Sequence, residues 1–166
     1  CQPFGSCKLL PATLETKTMP TTTTITPYLF FGGRCEEALN FYTKALGGEI
    51  KMIMRFNESP DPTPPGMLQA GFESKIMHAD FFVKGIHMMA SDGCSEADGG
   101  KCEGFKLALA VATEAEAKAS FEALAQGGSI EMPLTPTFWS PSFGMLTDQF
   151  GVQWMVMVPG PDQEGK

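Results

Sequence analysis

The feature that most limits how this chain can fold is an internal repeat. Aligning Phe41 with Phe121, a shift of 80 positions, also pairs Glu36 with Glu116, Ala45 with Ala125, Gly47-Gly48 with Gly127-Gly128, Ile50 with Ile130 and Met52 with Met132. Farther along, Gly85-Ile86 matches Gly151-Val152 and Met89 matches Met155 at a shift of 66, so the second copy has shorter loops. Self-similarity on this scale describes two copies of one supersecondary unit.

Each copy reads the same way locally. Ile25 to Phe31 is apolar and aromatic, a strand, and Glu36 to Leu46 places Ala38, Leu39, Tyr42, Ala45 and Leu46 at helical spacing before Gly47-Gly48 stops it. Glu49 to Phe56 resumes as a strand. Pro60, Pro62, Pro64 and Pro65 then force an excursion, because proline has no place in a central strand. Ile76 to Val83 and Ile86 to Ser91 are two strands joined at Lys84-Gly85 by a hairpin. In the second copy Phe105 to Ala112 is a strand, Thr113 with Glu116 is a capping box for a helix ending at Gly127, and strands follow at Ser129 to Leu134, Phe143 to Thr147 and Gln153 to Val158. The unit is βαβββ, and the fold class is α+β: two modules, 25–92 and 105–158, joined by a linker, 93–104, within one domain, 25–160.

Composition narrows the function. The 166 residues carry Lys+Arg 12 against Asp+Glu 19, net charge −7, which repels phosphate backbones. No basic run is interleaved with aromatics and no apolar run nears the ~18 residues of a membrane span, so nucleic acid and membrane are excluded as partners. Five cysteines, Cys1, Cys7, Cys35, Cys94 and Cys102, form no CxxC, and an odd count in a chain this long is not a disulfide framework; reduced thiols and a cytoplasmic location are expected. Residues 1–24, with three prolines and a Thr run, have no apolar period and are expected to be a disordered or non-native extension, with Met19 a natural start; 161–166 is a tail.

The stretches FYTKALGG (Phe41 to Gly48) and FGVQWMVMV (Phe150 to Val158), on two βαβββ copies, resemble the vicinal oxygen chelate superfamily of glyoxalases, bleomycin resistance proteins and dioxygenases. ITPYLFFGG (Ile25 to Gly33), MHA (Met77 to Ala79), MMASD (Met88 to Asp92) and TFWSPSFGMLTDQFGVQW (Thr137 to Trp154) resemble its PhnB-like branch. Members of that branch often carry a demethylubiquinone methyltransferase label. No Rossmann-type glycine loop follows any strand, so that activity is not expected here.

The resemblance implies that each module curls its sheet into half a cup around a substrate or metal, with four His or Glu ligands in metal-using members. Carried over, the ligand positions fall on Pro27, on or near Met89, among Phe105, Lys106 and Leu107, and on Met155. None is a His or carboxylate, the donors that a hard or borderline cation needs, so neither the usual metal nor any other cofactor is expected.

Met89 is cup-facing by resemblance, and strand alternation then places His78, Asp80, Phe82, His87 and Ser91 on its face, with Met77, Ala79, Phe81 and Val83 toward the helices. Pairing Val83 with Ile86 sets Phe82 opposite His87, Asp80 opposite Met89 and His78 opposite Ser91. His78 and Asp80 are candidate acid/base residues, since a carboxylate holds an imidazole tautomer; the same side chains also fit a plain solvated face. The candidate ligand-binding set is His78, Asp80, Met89, Ser91, Trp139 and Met155. Eleven methionines fit either an adaptable pocket or ordinary core.

Three functions remain open: a small-molecule binding protein without the usual metal site; an enzyme using His78 and Asp80, or an atypical metal set of His78, Asp80 and His87; and a structural or regulatory dimer. A homodimer is expected, because half cups leave sheet edges to cover, and the polar, Gly-rich linker permits a domain swap.

Overall fold

A computed structural model describes residues 24–61, 63–99 and 102–160. The expected N-terminal extension, apart from its last residue, and the C-terminal tail lie outside the described residues. The first module is β1 (Tyr28–Phe30), α1 (Cys35–Leu46), β2 (Gly48–Arg55), β3 (Ile76–Val83) and β4 (Ile86–Ser91). The second is β5 (Leu107–Ala110), α2 (Glu114–Ala125), β6 (Ser129–Thr135), β7 (Ser142–Thr147) and β8 (Gln153–Val158). Each builds a four-stranded sheet, in the orders β1-β4-β3-β2 and β5-β8-β7-β6. The first strand of each module runs parallel to its last and the other pairs are antiparallel, so both sheets are mixed and the βαβββ repeat is real.

Two first strands are shorter than the apolar runs that encode them. Ile25 to Phe31 yields three paired residues and Phe105 to Ala112 yields four, each alongside only the last strand of its module. The β3–β4 turn is as short as expected, with Lys84 at φ 50° and Gly85 at φ 80°, the positive values that a two-residue hairpin turn demands. Helix α2 starts under Thr113, whose hydroxyl accepts from the Glu116 amide at 3.2 Å. The Glu116 carboxylate is bound 2.8 Å from Lys84 Nζ, tying the first module's hairpin to the second module's helix.

The helices depart from the 80-residue register. α1 opens at Cys35 and α2 at Glu114, a shift of 79, so Phe121 occupies the place of Tyr42, not Phe41. Burial agrees: Ala38 and Tyr42 are buried like Ala117 and Phe121, whereas Phe41 is only half-buried. The lost residue returns at the helix ends, where Gly47 directly follows Leu46 but Gln126 separates Ala125 from Gly127.

One apolar core runs through both modules. Leu39, Tyr42, Ile76 and Phe81 of the first share it with Leu124, Leu146, Val156 and Trp154 of the second. Phe31, Phe41 and Tyr42 surround Phe150, with ring centroids 5.5 to 6.2 Å apart in the contacts among these four residues. Most of the helix-facing side of both sheets lies in this core, and the opposite face of each curled sheet is open.

Candidate functional site

The hairpin register puts Val83 opposite Ile86, Phe82 opposite His87 and Asp80 opposite Met89, as alternation requires. Beyond Ala79 the ladder slips. Arg55 pairs with Ile76 while Met54 pairs with His78, so Met77 is an extra, bulged residue and Ile76 takes the core position expected of Met77. On the other edge the Asp92 amide reaches the Ile76 carbonyl, so Ser91 does not oppose His78. Ser91 pairs instead with Phe30, and its buried hydroxyl accepts from the Gly93 amide at 2.9 Å and lies 3.4 Å from the Ile76 carbonyl.

One row of directly paired residues crosses all four strands of the first sheet's open face: Tyr28, Met89, Asp80 and Met52. The equivalent row of the second sheet is Ala108, Met155, Met145 and Met132. The repeat therefore carries ionisable groups on one face and thioethers on the other. Of the strand methionines, Met88 is fully enclosed in the core, while Met52, Met89, Met132, Met145 and Met155 lie in these rows.

Asp80 is the hub of the polar face. Its Oδ1 lies 2.7 Å from His87 Nε2 and its Oδ2 lies 3.5 Å from His78 Nε2. His78 Nδ1 is 2.9 Å from the Tyr28 hydroxyl. With a proton on His78 Nε2 facing the carboxylate, Nδ1 is the acceptor and the phenol donates to it. The imidazole of His87 stacks on Phe82 at 5.0 Å, and Tyr28 leans on Phe30 at 5.1 Å. Burial raises the Tyr28 phenol above its ordinary value of 10.0, and the nearby Ser91 hydroxyl pulls it back down. Tyr28, Phe30 and Met52 are 38%, 48% and 38% exposed, so the polar chain is set among uncovered apolar side chains.

Tyr28 was not singled out from the sequence. The signal was available, since a first-strand residue paired with Met89 shares its face. The carry-over to Pro27 is corrected by one position: Tyr28, with Ala108 as its repeat mate in place of the 105–107 stretch, shares the face of Met89 and Met155. None of these four offers an imidazole or carboxylate, so the superfamily's divalent cation does not fit here. Among the described residues no group of three His, Cys, Asp or Glu side chains is placed to hold a metal ion; His87 Nε2 is hydrogen-bonded to Asp80, and His78 Nε2 stands 3.5 Å from the same carboxylate.

The expected ligand-binding residues do not form one cluster within the chain. His78, Asp80, Met89 and Ser91 lie on the first sheet, Met155 lies on the second, and Trp139 packs edge-on to Phe143 of β7 at 4.7 Å. In the second module Lys106 Nζ is paired with Glu131 Oε2, and the other oxygen of Glu131 accepts from Thr147 at 2.8 Å. Cys35, Cys94 and Cys102 are free thiols.

The 3-demethylubiquinone-9 3-methyltransferase family model matches residues 23–157. Protein YjdN of Escherichia coli (strain K12) is 36% identical over 143 residues, 81% of this chain and 94% of its own. The crystal structure of protein PA1353 from Pseudomonas aeruginosa is 43% identical, with TM-score 0.73, covering 84% of this chain and 99% of that one. A putative 3-demethylubiquinone-9 3-methyltransferase, PhnB protein, from Bacillus cereus is 33% identical, with TM-score 0.68, covering 82% and 99%. A glyoxylase/bleomycin resistance protein/dioxygenase domain from Frankia sp. EAN1pec, 12% identical over 86% of this chain and 99% of its own, shares the fold at TM-score 0.55. The chain belongs to the PhnB-like, 3-demethylubiquinone-9 3-methyltransferase family, and its fold is that of the glyoxalase/bleomycin resistance/dioxygenase proteins.

Proposed function

We propose that this protein binds a small organic molecule on the open face of its first sheet without a superfamily-type metal, and that a second copy of the chain helps to cover that face. The observation that carries the reading is the contrast between the Tyr28–Met89–Asp80–Met52 row and its Ala–Met–Met–Met counterpart in the repeat. A carboxylate shared by two imidazoles, ringed by exposed aromatic and thioether groups, gives a ligand both polar anchors and adaptable apolar walls. The methyltransferase label fits the fold poorly: each sheet is mixed, and Gly32-Gly33 after β1 is not the G-x-G-x-x-G of a dinucleotide-type loop. A cytoplasmic location belongs to the same reading.

The test is a fragment screen by protein NMR on the full chain, repeated with His78→Ala and Asp80→Ala. Both side chains are off the helix-facing side, so each variant keeps its fold by circular dichroism while fragment-induced shifts near β1, β3 and β4 shrink. Shifts that survive both changes, or a screen in which no fragment touches this face, defeat the reading and leave a structural or regulatory dimer. Light scattering giving 17.9 kDa at micromolar protein rejects the second copy.

A catalytic version is favoured by one specific arrangement. Tyr28, His78 and Asp80 stand in the order hydroxyl, imidazole, carboxylate, which lets a proton arriving at the Tyr28 oxygen be matched by its own proton moving to His78 Nδ1. A turnover assay on whichever fragment binds, compared between the protein and Tyr28→Phe, separates catalysis from binding.

A further inference from the structure

Between α2 and strands β6 and β7 lies a cavity of about 690 Å³, on the helix side of the second sheet and away from the face discussed above. Gly144 lets the Phe121 ring press onto β7, where an added Cβ would come 2.7 Å from Phe121 Cε2. Strand β6 carries Pro133 and loses register between Met132 and Thr135. Ile130 is 55% exposed, whereas its repeat mate Ile50 packs against the core.

Phe121, Ala125, Ile130 and Leu134 make most of the lining apolar. Gln126 at its edge is exposed, and Ser142 is the buried polar residue of the lining. Ser142 is 8% exposed and lies on the helix side of β7; its amide and carbonyl are both engaged by the Ser140 hydroxyl. Its own hydroxyl has no hydrogen-bond partner among the described residues and is not sealed from the cavity. At the rim, Lys118 faces Glu122 at 3.9 Å and Glu114 adds a second carboxylate, so the entrance is negative on balance.

We propose that this cavity binds a neutral, mainly apolar small molecule carrying one hydrogen-bonding oxygen that meets the Ser142 hydroxyl. Its volume is within the range of small-molecule pockets, which pair apolar walls with a few placed polar groups. A serine hydroxyl both donates and accepts, so a ketone or an alcohol satisfies it equally. A carboxylate headgroup is disfavoured by the two rim acids.

Titration of the isotope-labelled full chain with 2-octanone, octanoate and octylammonium tests this by amide chemical shifts. The expected result is shifts confined to α2, β6 and the start of β7, with 2-octanone at least tenfold tighter than octanoate. Ser142→Ala weakens 2-octanone by about three- to tenfold, the worth of one neutral hydrogen bond. Ala125→Phe fills the cavity and abolishes binding. No shifts, shifts centred on His78 and Asp80, equal binding of octanoate, or indifference to Ser142→Ala each overturns the proposal. The Ser142 comparison stands even if Ala125→Phe fails to fold, and none of these failures except binding at His78 bears on the first-sheet reading.

Discussion

The Tyr42 hydroxyl of the first module's helix donates to Asp148 Oδ2 of the second module across 2.6 Å, inside the shared core. The same carboxylate accepts from Trp154 Nε1 at 2.9 Å and, through Oδ1, from the amides of Phe150 and Val152 at 2.9 and 3.1 Å. A charge 3% exposed is thus held by four donors, one of them supplied by the other module. The two halves are joined by chemistry as well as by apolar contact.

Tyr42→Phe removes one bond to a charged acceptor and is expected to cost about 1.5–3 kcal/mol in urea unfolding. Asp148→Ala strands four donors and is expected to cost more than about 4 kcal/mol. Burial, then the Asp148 charge, raises the Tyr42 phenol far above its ordinary value of 10.0. Its contribution is therefore complete below pH 10 and declines as pH rises above it, because the unfolded chain releases that proton first. Tyr42→Phe should flatten this alkaline loss; an unchanged slope contradicts the assignment.

Tyr28→Phe tests the polar chain on the open face. With the His78 proton on Nε2, the Tyr28 phenol donates to Nδ1 across 2.9 Å and favours that tautomer. Nitrogen-15 spectra should show that tautomer dominant in the parent protein and mixed in Tyr28→Phe, with His87 unmoved because its partner is Asp80. An identical His78 tautomer in both proteins rejects the contact.

The order of elements was legible because the repeat, the proline excursion and the Gly-terminated helices each act locally. The pairing of Val83 with Ile86 and of Phe82 with His87 followed from a two-residue turn. What failed were one-residue slips: the helix register at Tyr42, the bulge at Met77 and the first-strand position at Tyr28. Such slips are set by which side chain packs best across modules, information absent from a local window. Asp92 was equally hidden. Its two oxygens accept from the Cys35 and Ile76 amides at 2.7 and 2.8 Å, so the residue that starts α1 lies 57 positions downstream of the helix it caps. The split of the candidate set between two sheets likewise depends on how the modules pack around Tyr42, which alternation along single strands does not report.

On the second open face, Lys106 and Thr147 hold Glu131 in its ionised form and lower its carboxyl below the ordinary value of 4.5. The stability this gives is present above that value and is lost as pH falls through the lowered one. Lys106→Met removes the largest cause. Acid unfolding curves should then show less loss below pH 4.5 attributable to this pair, with the neutral-pH fold retained. A variant whose acid profile matches the parent shows that the pair is too well solvated to matter.

The last expectation concerns metal. Enediolate chemistry of the glyoxalase kind needs a cation on the substrate oxygens and a carboxylate to move the proton, and the superfamily resemblance implies that the ligands lie at the cup-facing positions of the first and last strands. Here those places hold Tyr28, Met89, Ala108 and Met155. Methionine is a soft, neutral donor, alanine offers none, and the Tyr28 phenol, raised by burial, stays protonated and turned toward His78. No rotamer supplies the missing imidazoles. The purified protein should therefore retain no stoichiometric zinc, nickel or manganese after dialysis, show no change in melting temperature on adding these ions or a chelator, and lack glyoxalase I activity. Elemental analysis finding close to one such ion per chain, lost on His78→Ala, would mean that His78, Asp80 and His87 rearrange into ligands, and would move the protein to metal-assisted catalysis.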